Sequence, residues 1–146
     1  MAKHRARVSL KRDSALEVSR VSIGRDKLVY VLIADKKLGY KSGRSRVAYI
    51  GTTKKGLARV AQSAATKADD ILGNRGILKL HARIVTCRPR QSVKMWLKLE
   101  RALLLCFREE FGEVPQWNSH GKSMRTVDEF QYFSKARISR IIEDLS

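Results

Sequence analysis

Acidic residues are scarce in this 146-residue chain: 14 Asp and Glu stand against 31 Lys and Arg, a formal net charge of +17. Between Lys36 and Leu99 the only acids are Asp69 and Asp70, among sixteen Lys or Arg residues. A basic stretch of that breadth suits a polyanion, and nucleic acid is the expected one. Cysteine is nearly absent too. Cys87 and Cys106 have no C-x-x-C partner and the three histidines are scattered, which excludes the usual zinc spacings and a disulfide framework. Two reduced thiols in a cytoplasmic protein are the simpler reading. No apolar run reaches the roughly 18 residues of a membrane span, so a membrane is not an expected partner. The opening Met-Ala-Lys-His-Arg-Ala-Arg lacks the apolar core of a secretory signal. Apolar residues are not scarce: at 43% they suffice for the core of one domain.

Gly51 and Gly56 have the G-x-x-x-x-G spacing of a phosphate-binding loop. That loop requires Lys and then Ser or Thr next, to meet the phosphates and the metal. Leu57 and Ala58 follow instead, which excludes it.

The first residues, to about 14, read as a basic arm, and Ala15 to Ile23 as an edge strand. Leu28 to Ala34 is a β-branched, apolar strand, and Arg46 to Gly51 a second. A basic loop, 35–45, joins them into an antiparallel hairpin. From about Lys55 to Leu72 the period turns helical. Leu57, Val60, Ala61, Ala64, Ala65, Ala68, Ile71 and Leu72 make one stripe. Leu78 to Cys87 reads as a third strand, stopped by Pro89. Ser92 is placed to cap a long helix to about Phe111, and Thr126 with Glu129 forms a capping box for a last helix. Phe130, Phe133, Ile138, Ile141, Ile142 and Leu145 give that helix its apolar face. The order predicts an α+β fold with a small, mainly antiparallel three-stranded sheet flanked by helices.

One acid is out of place. Advancing 100° per residue along the long helix groups Val93, Trp96, Leu97, Leu103, Leu104, Phe107 and Phe111 on one face, with Glu100 among them. A buried carboxylate needs an ion-pair partner, a metal or a proton. Glu100 is therefore either half of an ion pair with one of the many arginines or a ligand for a divalent cation in a cleft.

The pieces resemble a known family. Tyr30 in Leu-Val-Tyr, the tripeptide Tyr49-Ile50-Gly51, Arg59 eight residues beyond that glycine, Glu100 inside a long helix, and Pro115-Gln116-Trp117-Asn118 after it are similar to the GIY-YIG nuclease domain, from about Lys27 to Asn118. The resemblance implies a metal-dependent endonuclease acting on DNA phosphodiesters. In it Glu100 would bind Mg²⁺ or Mn²⁺, Arg59 would stabilise charge on the scissile phosphate, Tyr30 or Tyr49 would activate or orient the water, and Asn118 would support the site. Metal and arginine are chemically suited to a phosphoryl transition state. The implied division is a basic arm (1–20), a nuclease-like domain (21–121) and a C-terminal helix (122–146). The chain departs from the pattern in three places. Leu28 replaces the first glycine, the gap from Tyr30 to Tyr49 is long, and Ser63 stands where members often carry His or Tyr.

Taken singly, Tyr30 and Tyr49 read as strand packing, Arg59 as a solvated arginine, Asn118 as a turn residue, Trp96 as core, and His81 and His120 as structural or exposed. Lys36, Lys37, Tyr40, Lys41, Arg44, Arg46, Lys54 and Lys55 are the expected nucleic-acid contacts, with Tyr40 stacking on a base. Two other functions compete: a non-catalytic DNA- or RNA-binding module on the same fold, and a basic structural or ribosome-associated protein. One site makes one nick, so a double-strand cut calls for a homodimer or two events.

Overall fold

The structure, a computed structural model, describes residues 5–15, 17 and 25–146. Residues 5–15 are exposed and carry no helix or strand. The expected edge strand from Ala15 to Ile23 lies, apart from Ala15 and Glu17, outside the described residues.

The chain forms β1 (Leu28–Tyr40), β2 (Gly43–Thr53), α1 (Leu57–Ile71), a 3₁₀ turn (Asn74–Gly76), β3 (Leu80–Val85), α2 (Met95–Phe111), α3 (Glu129–Tyr132) and α4 (Lys135–Leu145). The sheet has the order β2-β1-β3 and both pairings are antiparallel. The α+β class and the three-stranded antiparallel sheet agree with the expectation.

The strands outrun their apolar segments. The expected basic loop 35–45 is mostly strand, with Lys41 and Ser42 left as the turn. Pairing continues through Leu38↔Ser45 and Tyr40↔Gly43, so the backbone groups bond to each other while the lysines point to solvent. The hairpin tip docks on the end of α2: Ser42 N–H donates to Phe111 O (3.0 Å) and Lys41 N–H to the Glu113 carboxylate (2.7 Å). Gly112 ends α2 in the left-handed conformation (φ 78°), and a Cβ there would lie 2.8 Å from Ser42 Oγ.

The sheet separates two apolar layers. Val29, Val31, Val47 and Ile50 pack on α2 and α4 with Leu103, Phe107, Ile138 and Ile142. Leu28, Tyr30, Leu32, Ala34 and Ala48 pack on the other side under Val60 and Ile71 of α1. A register shift interrupts the hairpin. Leu32 pairs with Tyr49 but Ile33 pairs with Val47, which leaves Ala48 as an extra residue. This bulge changes the alternation of β2, so Tyr49 shares a face with Leu32 and Tyr30 and not with Val47.

Several sequence readings are corrected. In α1 the buried side is Val60, Ser63, Ala64, Lys67, Ala68 and Ile71, while Ala61, Ala65 and Leu72 are exposed. The two buried apolar residues, Val60 and Ile71, set the rotation, and the alanines have too little surface to resist. Leu97 is on the exposed side of α2 (36%), and its place is taken by Leu99 and Ala102. Ser92 is not a helix cap: its φ is +63° and α2 begins at Met95. The last helix is two, broken at Phe133. Ser134 caps α4 by accepting the Arg137 N–H (3.3 Å). Thr126 caps nothing, because the Glu129 carboxylate turns inward to Arg101 (Nε–Oε1 2.6 Å) and takes the Val127 N–H (2.8 Å).

Candidate active site

Gly51 is where the site begins. It lies directly opposite Tyr30 across the β1/β2 pair, with Tyr49 on the diagonal. A Cβ on Gly51 would meet Tyr49 Cε1 at 2.6 Å and Tyr30 Cζ at 2.8 Å. Only a residue without a side chain lets both rings close over the strand, and their centroids stand 5.9 Å apart. Tyr30 is buried and its hydroxyl bonds Ser63 Oγ at 2.6 Å. Tyr49 is half-buried, with Lys67 Nζ 4.7 Å from its ring centre. Ser63 and Lys67 are thus brought to the tyrosine pair by the rotation of α1. Ser63 is four residues past Arg59 and Lys67 four past Ser63, and that helical spacing is the sequence signal for them.

Glu100 approaches from α2 on the flank of its buried side. Its side chain is 14% exposed and stands by Thr52 at the end of β2. Among the described residues no Lys or Arg comes within ion-pair distance of it. The nearest basic group is His120, Nε2 to Oε1 3.8 Å. Its helix neighbours are paired: Lys98 with Asp128 (2.7 Å) and Arg101 with Glu129 (2.6 Å). Burial pushes the Glu100 carboxyl above the usual range, against the pull of His120 and of the Thr52 hydroxyl. Tyr49 is pushed up as well, by burial first and then by Tyr30 and the Glu100 charge, which keeps its phenol protonated. Glu129 is the more deeply buried acid, at 1% exposure. Burial alone would raise it, but Arg101 and the Val127 N–H hold it below the usual carboxylate range. Helical pattern did not mark it, because its helix is a single turn.

Asn118 belongs to the support of the site. Its amide accepts from Ile50 N–H (2.9 Å) and donates to Ile50 O (2.8 Å), while Trp117 N–H donates to Ala48 O (3.1 Å). Loop residues 117 and 118 therefore pair along the edge of β2 at the bulge and beside Gly51.

Arg59 is exposed and donates to Gln62 Oε1 (2.8 Å). It lies one turn before Ser63, about 6 Å along the axis. Of the expected nucleic-acid contacts, Lys54 and Lys55 are exposed just past β2, at the Thr52 end. Lys36, Lys37, Lys41, Arg44 and Arg46 are exposed too, but toward the hairpin tip. From Arg44 to Thr52 the strand runs roughly 25 Å. Tyr40 is placed otherwise than expected. Its ring meets Phe107 edge-on (5.0 Å) and Phe111 (5.9 Å), and its hydroxyl donates to Val47 O (2.5 Å). Burial, foremost, pushes its pKa up to about 12. It is a core residue and not a free stacking surface. A cavity of about 310 Å³ between Lys41, Arg108, Glu113 and Lys122 lies by the end of α2, apart from the tyrosines and Glu100.

Among the described residues there is no group of three His, Cys, Asp or Glu side chains fit to cage a metal. No helix among them is long and apolar enough to cross a membrane. No family model, no curated protein and no solved structure matches the chain.

Proposed function

We propose that the chain is a metal-dependent endonuclease that hydrolyses DNA phosphodiester bonds at a single GIY-YIG-type site. The carrying observation is Glu100: a mostly buried carboxylate, in a chain of 31 Lys and Arg, that pairs with none of them among the described residues and whose charge is felt by the Tyr49 phenol. A buried anion without a counter-charge is unfavourable unless something cationic or protic completes it. One carboxylate with water and substrate phosphate is a sufficient donor set for Mg²⁺ or Mn²⁺, so the residues fit such an ion. Bound there, the ion would supply Lewis-acid stabilisation of the phosphoryl oxygens.

The remaining work falls to the chain's own side chains. Tyr49, held protonated, donates its O–H to the attacking water or to a phosphate oxygen. Ser63 fixes the Tyr30 hydroxyl and so the rotation of the neighbouring phenol. Arg59 swings from Gln62 to the scissile phosphate. His120 stands beside Glu100, half exposed, with a ring nitrogen able to accept a proton. It is the proposed acceptor of the water's proton.

A second reading is a DNA- or RNA-binding module without cleavage. It is favoured by the upward shift of the Tyr49 phenol and by an Arg59 that already bonds within α1. Supercoiled plasmid with Mg²⁺ or Mn²⁺, beside an EDTA lane and Glu100→Ala, separates the two. Nicking that disappears with EDTA and with Glu100→Ala supports the nuclease. A retarded but uncut plasmid in both metals supports the binding module.

A further inference from the structure

The helix α2 extends past the end of the sheet. Glu100 stands by Thr52, and the last β1/β2 pair is Leu28↔Thr53. One turn further back along α2, about 6 Å along the axis, is Trp96. By rotation Trp96 lies on the inward side of the helix, between Leu99 and Glu100, past the last β1/β2 pair among the described residues. It is half-buried and belongs to neither apolar layer among the described residues, in contrast to Trp117, which packs against the α1 side. What meets its ring is an ammonium group: Lys27 Nζ, 4.7 Å from the ring centre. Lys27 is exposed, as is Lys94 two residues before Trp96 in the chain.

An indole outside both apolar layers, with a lysine ammonium over its ring and one turn from the candidate metal carboxylate, has the chemistry of a platform for a nucleobase. A base inside a continuous duplex has both faces covered by its neighbours, so only an unpaired base can lie on such a ring. We infer that Trp96 stacks an unpaired base next to Glu100, and that the polynucleotide held here is single-stranded, gapped or flapped DNA and not continuous duplex. This rests on nucleic acid being the ligand of the Glu100 site. On binding, the Lys27 ammonium leaves the ring for a phosphate and the base takes its place.

Trp117→Phe leaves Trp96 as the sole fluorescent indole. That variant is titrated in EDTA with an oligothymidylate and with a blunt duplex of the same length. Single strand quenches the Trp96 emission and duplex does not. Trp96→Ala weakens single-strand binding about 5- to 150-fold and changes duplex binding less than about twofold. The slope of log affinity against log salt stays unchanged, because stacking releases no phosphate counterion. Trp96→Phe, which keeps an aromatic face, recovers most of the loss. Emission unchanged at saturating single strand, or equal losses on both DNAs for Trp96→Phe, overturns the inference. Quenching by single strand with no cleavage in any metal upholds it and removes the nuclease. Metal-dependent cutting of duplex without quenching does the reverse.

Discussion

The Asn118 side chain behaves as one more peptide unit beside β2: it exchanges two hydrogen bonds, 2.9 and 2.8 Å, with the N–H and C=O of Ile50. Ile50 lies between Tyr49 and Gly51, so this pair holds in place the two residues that shape the tyrosine cluster. Replacing Asn118 by Ala leaves both Ile50 groups buried without partners. The expected loss is roughly 2–4 kcal/mol, or on the order of 10 °C in Tm. Asn118→Asp keeps the acceptor but sets a carboxylate oxygen against the Ile50 carbonyl, and should lose nearly as much. Thermal unfolding of the two variants checks this; an Asn118→Ala protein as stable as wild type would refute the role.

Gly51 tolerates no side chain, for a steric reason and not a conformational one. A methyl group there would overlap both tyrosine rings, at 2.6 and 2.8 Å. Gly51→Ala is expected to lower stability by about 1–3 kcal/mol and to separate the rings. Tyrosine fluorescence or near-UV dichroism should report the separation, with plasmid nicking reduced further than the stability loss accounts for.

Glu100 is a liability to the folded state at neutral pH. Its pKa is raised on folding, so its favourable contribution exists below the unfolded carboxylate pKa and is lost as pH climbs through the raised value. Glu100→Gln should therefore melt at the same temperature as wild type, or a few degrees higher, at pH 7. The difference should close near pH 4 and below, where the acid is neutral in both states. Millimolar Mn²⁺ should raise the Tm of wild type and leave Glu100→Gln unmoved. A Glu100→Gln protein clearly less stable than wild type at pH 7 would mean that Glu100 has a structural partner.

Glu129 behaves oppositely. Its pKa is lowered on folding, so the pair with Arg101 stabilises above the unfolded carboxylate pKa and that contribution fades as pH falls through the lowered value. Glu129→Gln should lose about 3 kcal/mol at pH 7, the low end for a buried pair because Arg101 reaches solvent. The gap to wild type should narrow below about pH 4. Melting curves across pH 3 to 7 would show it, and a pH-independent gap would assign the loss to packing instead.

Local pattern determined much about this protein. The order of strands and helices, the antiparallel hairpin, the apolar residues of α4 and the oddity of Glu100 follow from periods of 2.0 and 3.6 residues, which each segment carries alone. The charge of +17 needs no fold at all. Tertiary structure decided the rest, because the phase of a pattern depends on what lies across from it. The bulge at Ala48 brings Tyr49 round to Tyr30. Two large residues, Val60 and Ile71, rotate α1 and bring Ser63 and Lys67 to the phenols. A loop returning from α2 sets His120 by Glu100 and Asn118 on Ile50. Trp96, read as core, is half-buried past the last β1/β2 pair among the described residues. Tyr40, read as a surface contact, went into the core because Phe107 and Phe111 stand where the long hairpin lands. Each is a meeting of segments far apart in the chain, and a segment's own pattern holds no term for its neighbour.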